Sequence, residues 1–99
     1  MHVFKRKTLV EYWMDHPDAE QPLKSWYAEV KKAVWTEFSD IREKFRSADP
    51  VGKHIVIFNI GGNKYRLVTK VQYRGGGMVF IKFVGTHAEY SKIKDVEKL

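Results

Sequence analysis

The spacing of apolar residues changes half-way along the chain. Up to Phe45 they recur at helical intervals, and from His54 onward they alternate as strands do. Thr8 and Glu11 have capping-box spacing and predict a short helix carrying Leu9, Tyr12 and Trp13. Asp15-His16-Pro17 ends it, because the residue before a proline is driven out of the helical region. A second helix is expected with Asp18 as N-cap, Pro22 in its first turn, and Leu23, Trp26, Tyr27, Val30 and Val34 on one side. Ser39 to Phe45 predicts a short third helix. Beyond Asp49-Pro50, strands are expected over His54 to Ile60, Lys64 to Tyr73 and Met78 to Gly85, with His2 to Arg6 as an edge strand. Thr86 and Glu89 repeat the capping-box spacing and predict a last short helix. The fold class is α+β, with amino-terminal helices packed on one face of a small antiparallel sheet.

Turn chemistry then assigns residues to faces. A two-residue turn at Gly61-Gly62, where glycine supplies positive φ without strain, sets Ile60 opposite Asn63, Phe58 opposite Tyr65 and Val56 opposite Leu67. That face is apolar and suits the helices. The other face collects Lys53, Ile55, Ile57, Asn59, Lys64, Arg66, Val68 and Lys70, with Asn59 across from Lys64 and Ile57 across from Arg66. The next hairpin has two open registers. A turn centred on Gly75-Gly76 pairs Tyr73 with Met78 and sets Arg66 opposite Gly85; a three-residue glycine turn shifts the parity and puts Lys82 on the basic face. In the first register Arg66, His87 and Tyr90 surround one point, since His87 and Tyr90 are three apart at a helix start, where a phosphate is also favoured.

Charge sharpens this picture once it is located. The net charge is +6, and residues 1–49 are neutral, with nine basic and nine acidic side chains, so the excess lies wholly in residues 50–99. Val51 to Ala88 contains no carboxylate while holding Lys53, Lys64, Arg66, Lys70, Arg74 and Lys82 among aromatic residues. One-sided basic charge of this kind is the footprint of a polyanion binder. With 99 residues the chain is expected to form one domain, 1–99. It has no cysteine for disulfides or thiolate metal sites, no leader-like stretch at Met1 to Lys7 and no apolar run of membrane-spanning length, so a cytoplasmic protein with no membrane partner is expected.

The same window restricts the chemistry. Two-metal phosphodiester hydrolysis needs clustered carboxylates, and no metal-ligand pair is present, so neither metal nor cofactor is expected. RNA carries its own nucleophile, the 2′-hydroxyl, and then needs a base, cations at phosphorus and an acid for the leaving oxygen. His87 suits proton transfer. Arg66 suits clamping the phosphate. Tyr90 suits stacking or proton transfer, and Lys53 and Lys64 suit holding the backbone. Each has a plainer role open to it: His87 as a structural residue, Tyr90 as packing, Arg66 as an apolar stem over the sheet, and Asn63 as a turn former. Trp13, Trp26 and Trp35 read as core or interface.

Phe58-Asn59-Ile60-Gly61-Gly62-Asn63-Lys64-Tyr65-Arg66-Leu67, followed by Phe83-Val84-Gly85-Thr86-His87-Ala88-Glu89-Tyr90, resembles the HigB branch of RelE-like toxins. The resemblance implies a ribosome-associated messenger-RNA endonuclease that leaves a 2′,3′-cyclic phosphate and is restrained by a HigA-like helix-turn-helix antitoxin. It matches the family motif at Asn59, Lys64, Arg66, His87 and Tyr90. Combined with the charge pattern, the expected catalytic residues are Arg66, His87 and Tyr90, and the expected RNA-binding residues are Lys53, Asn59, Lys64, Lys70 and Lys82. Two other classes compete with a ribonuclease: a non-catalytic RNA- or ribosome-binding module, for which a basic face suffices, and a protein-interaction domain using exposed tryptophans.

Overall fold

Both periodicities are realised in a computed structural model, which describes residues 1–99. Its elements are β1 (His2–Phe4), α1 (Arg6–Asp15), a 3₁₀ turn (Pro17–Ala19), α2 (Glu20–Lys32), α3 (Phe38–Lys44), β2 (Asp49–Val51), β3 (Ile55–Ile60), β4 (Tyr65–Gln72), β5 (Met78–Thr86), α4 (His87–Ser91) and a final 3₁₀ turn (Val96–Lys98). The five strands form one sheet in the order β1-β5-β4-β3-β2, antiparallel except where β1 joins β5. The architecture is α+β, as expected. No helix is long and apolar enough to cross a membrane.

The core lies between the helices and the inner sheet face. Leu9 and Trp13 of α1 and Leu23, Trp26 and Val30 of α2 are buried against Val56, Phe58, Ile60, Tyr65, Leu67, Val71, Val79 and Ile81. Phe58 is its hub, with the rings of Trp26, Trp35 and Phe45 at 5.4, 6.4 and 5.1 Å. All three tryptophans are buried, so none presents an interaction surface. Val34 is the exception to the α2 stripe: the helix stops at Lys32, and Val34 is 85% exposed. The Met1 ammonium donates to the carbonyls of Val30, Lys31 and Ala33, closing the end of α2 where the helix dipole is negative.

Several local expectations are corrected. Helix α1 begins at Arg6 without a side-chain cap, because the chain must turn out of β1 at once, and Lys5 does so at φ 69°. Thr8 is therefore inside the first turn. Asp18 does not cap α2: it sits in the 3₁₀ turn, and its carboxylate accepts hydrogen bonds from Lys64 Nζ and, at 2.5 Å, from Tyr65 Oη. Asp49-Pro50 does not merely break the chain but forms edge strand β2, where a proline is tolerated.

The hairpin registers also differ. Gly61 and Gly62 do take positive φ, but the β3–β4 loop runs over four residues, with Ile60 paired to Tyr65. Asn59 thus faces Arg66 rather than Lys64, and Ile57 faces Val68 rather than Arg66. The shift is by two residues, an even number, so the assignment of side chains to faces survives. In the second hairpin Gln72 pairs with Met78, and the β4–β5 register slips between Val68 and Thr69, so that Lys82 has no partner of its own. That bulge restores Arg66 opposite Gly85, while Lys82 lines the outer face beside Lys53 and Lys70. The first open register therefore holds from Tyr65 to Val68, whereas beyond the bulge the hairpin closes over the five residues 73–77, which has the parity of a three-residue glycine turn but not its pairing.

Two consequences can be measured. Phe58→Ala should destabilise the fold by about 3–5 kcal/mol, because a fully buried ring packed against three others is removed; a urea midpoint close to that of the parent protein would contradict the hub role. Asp18 has its carboxyl held below the ordinary aspartate range, first by the Lys64 hydrogen bond and then by that of Tyr65. A depressed folded-state pKa stabilises above the unfolded value near pH 4 and is lost as pH falls through the folded one. Asp18→Asn should therefore lower the melting temperature at pH 7, and the gap from wild type should close as pH drops below about 4. A gap independent of pH would exclude the carboxylate as its source.

Candidate functional site

On the outer sheet face, the middle is apolar and the basic groups lie at its two ends. Ile55, Ile57 and Val68 form the centre, with Val51, Phe83, Tyr90 and Val96 packed against them. Lys53, Lys70 and Lys82 line a recess of about 370 Å³ on one side, together with His54 and Glu97. Asn59 and Arg66 line a second recess of about 290 Å³ with Arg42 and Arg46, two arginines that sequence reasoning missed. They sit in the charge-neutral half of the chain, in and just beyond α3, and only the placement of that helix beside β3 brings them here.

Arg66 is the best-positioned of the expected catalytic residues. It is flanked by Asn59 on β3 and Gly85 on β5 and is half-buried. Its guanidinium carbon lies 4.7 Å from the centre of the Tyr90 ring, a cation–π arrangement. Gly85 is required for this neighbourhood, since a Cβ there would stand 2.6 Å from the Phe83 ring and 3.0 Å from a Glu89 carboxylate oxygen. The Arg66 Nε and the Asn59 Oδ1 are buried without hydrogen-bond partners. No arginine in the molecule is within 4.0 Å of a carboxylate; every ion pair uses a lysine.

Helix α4 is set against the sheet by the expected capping box. Thr86 Oγ1 accepts from Glu89 N at 3.1 Å, and Glu89 Oε1 accepts from Thr86 N at 2.7 Å. The same Glu89 oxygen accepts from Tyr12 Oη at 3.1 Å, which ties α4 to α1. The Thr86 amide, first, and then Tyr12 hold the Glu89 carboxyl below its ordinary range, while burial and this carboxylate raise the Tyr12 phenol above its own. Tyr12 also stacks on His16 at 4.0 Å and meets Tyr65 edge-on at 5.6 Å. The capping carboxylate is thus committed to structure.

The expected constellation is assembled in part. Arg66 and Tyr90 are in contact, with Asn59 adjacent. His87 opens α4 and shares a side with Tyr90 by its spacing, but its ring is exposed and makes no hydrogen bond. Lys53, Lys70 and Lys82 come together beyond the apolar centre. Lys64 does not join the outer face: it lies in the glycine turn, drawn to Asp18.

No curated protein matches the chain. A family model does, described as HigB_toxin, RelE-like toxic component of a toxin-antitoxin system, and it aligns with residues 19–93, from the start of α2 to just beyond α4. That span includes Asn59, Arg66, His87 and Tyr90, and β1 and α1 fall outside it. The chain belongs to the HigB family of RelE-like toxins of toxin–antitoxin systems.

Proposed function

We propose that the protein is a ribosome-associated endoribonuclease that cleaves messenger RNA without a metal ion, through attack by the 2′-hydroxyl. The observation that carries this reading is Arg66, a half-buried guanidinium with no carboxylate partner, stacked on Tyr90 at the edge of a basic face. A carboxylate in contact would neutralise it; left unpaired, its planar fork suits the two oxygens of a phosphodiester. No group of three or more His, Cys, Asp or Glu side chains is placed to hold a metal ion, so arginine is the charge this face offers to phosphorus.

In this reading the 2′-hydroxyl gives its proton to a base and attacks the adjacent phosphorus. The bond to the 5′-oxygen breaks, and that oxygen takes a proton from an acid, leaving a 2′,3′-cyclic phosphate and a 5′-hydroxyl. Arg66 stabilises the charge that grows on the phosphoryl oxygens. Imidazole exchanges protons near neutral pH, which makes His87 the first candidate for proton transfer. Its unrestrained ring would be aligned by the bound substrate. Tyr90 orients Arg66 and offers a ring to a nucleobase. Lys53, Lys70 and Lys82 hold the backbone farther along the strand, and Lys64 adds its charge from the turn only on leaving Asp18. The restraining partner is an antitoxin, as the family requires, of the helix-turn-helix class, and the cytoplasm is where ribosomes supply the substrate.

Single-turnover cleavage on programmed ribosomes tests the assignment. Arg66→Ala should be severely impaired, and Arg66→Lys should fail to restore the rate because the fork is lost. His87→Ala, and Tyr90→Phe if its hydroxyl moves a proton, should each slow cleavage roughly 10²–10⁴-fold. Residues acting in one transition state are non-additive, so the double variants should be little slower than the worst single one. Cleavage should persist in chelator once ribosome integrity is controlled. If all three single variants fold and cleave within a few-fold of wild type, these residues are not the site. RNA binding with no cleavage by the wild type would assign the chain to a non-catalytic binding module.

A further inference from the structure

Arg42 and Arg46 are outside everything used above, yet they converge with Arg66 on one recess. Arg42 is on the last turn of α3, and Arg46 follows four residues later, in the link to β2. Arg42 is held in place: its Nη2 donates to the Ala48 carbonyl at 2.9 Å, and its guanidinium lies 5.1 Å from the centre of the Phe38 ring. Arg46 is exposed and makes no hydrogen bond through its side chain. With Asn59, Arg66, Ser47 and Asp49 they line a space of about 290 Å³. Three like charges gathered around one recess repel each other, and Asp49, the only acid in the lining, lies farther than 4.0 Å from any arginine nitrogen. Such a cluster is stabilised by an anion that enters it.

The two unsatisfied buried atoms define that anion further. Arg66 Nε is a donor and Asn59 Oδ1 an acceptor, and both are buried without partners. A fully deprotonated anion such as sulfate satisfies only the donor. A ligand with acceptor oxygens next to a hydroxyl satisfies both, and RNA has this pair at every nucleotide, in its phosphodiester and its 2′-hydroxyl. We infer that Arg42, Arg46, Arg66 and Asn59 form an RNA-backbone subsite adjoining the cleaved bond, with the arginines taking a phosphodiester and Asn59 Oδ1 accepting from a ribose 2′-hydroxyl. The inference rests on the RNA-cleaving reading of the site, but is tested by binding rather than by cleavage.

The probe is a fluorescein-labelled single-stranded oligoribonucleotide, with the DNA oligomer of the same sequence beside it. Binding is followed by anisotropy from 50 to 200 mM salt in a His87→Ala background, with RNA integrity checked on a gel. Arg46→Glu should weaken RNA binding roughly tenfold and make the log–log salt slope shallower by about 0.7 for each phosphate that is no longer neutralised. Arg46→Lys should keep most of the slope. Asn59→Ala should reduce the preference for RNA over DNA, with little change in slope. Because Arg46 is exposed and unbonded, its variants should melt with the parent; a variant that does not is replaced by Ser47→Glu, which places the same charge in the lining. Unchanged affinity and slope in Arg46→Glu would overturn the subsite, as would loss of antitoxin binding with RNA binding intact. Wild-type protein that binds RNA with these dependences but never cleaves it would sink the ribonuclease reading and leave the subsite standing.

Discussion

Strand β4 is paired on both edges and covered on both faces, and the position of Arg66 depends on that. Its neighbours Leu67, Val68 and Thr69 have no exposed surface. The ladder fixes the backbone of Arg66 between Asn59 and Gly85, and the inner face, filled around Leu67 and Phe58, leaves the side chain only the outer one. Thr86, which caps α4, immediately follows Gly85 and pairs with Tyr65. A one-residue slip in this ladder would send Arg66 into the core and carry α4 away with it. The bulge at Lys82 reconciles a hairpin that closes at Gln72 and Met78 with the pairing of Arg66 and Gly85.

What could be read in advance follows from which interactions are local. Alternation within β3 and β4 is a property of neighbouring residues, so Val56, Phe58, Leu67 and Arg66 were assignable to faces even though the turn was two residues longer than expected. Turn length was not legible, because Lys64 leaves the ladder for Asp18, 46 residues away in sequence. The same long-range bond removed Asp18 from the cap of α2. The Thr86–Glu89 box was legible and formed; the Thr8–Glu11 box had the same spacing and did not, since Lys5 turns the chain into α1 three residues earlier. The bulge left no mark in composition, and Arg42 and Arg46 carried no signal in a segment whose charges balance.

Where the acids go is as informative as where the bases go. Asp18 and Glu89 are the carboxylates nearest in sequence or space to the glycine turn and α4, and both are engaged: Asp18 by Lys64 and Tyr65, Glu89 by the Thr86 amide and Tyr12. Both have depressed pKa values for that reason, so they stay ionised and bound to structural partners. Neither is paired with Arg66, and Asp49, the acid that shares its recess, lies farther than 4.0 Å from its nitrogens. A free carboxylate beside Arg66 would compete with a phosphate for the same fork.

The outer face has to meet two demands that conflict. A sheet with one solvated face could have carried lysine and arginine along its whole length, but here Ile55, Ile57 and Val68 are buried there too, under Phe83, Tyr90 and Val96. The centre therefore supplies packing for α4, and the charges are displaced to two recesses on either side. A single nucleic-acid strand engaging both would have to cross the ridge of Phe83 and Tyr90, which presents rings rather than charge. Aromatic rings accept any base by stacking, and flanking cations hold the backbone whatever its sequence. Selectivity among sequences would then have to come from the ridge or from whatever presents the strand to it, because arginines and lysines on such a strand would contact its invariant backbone.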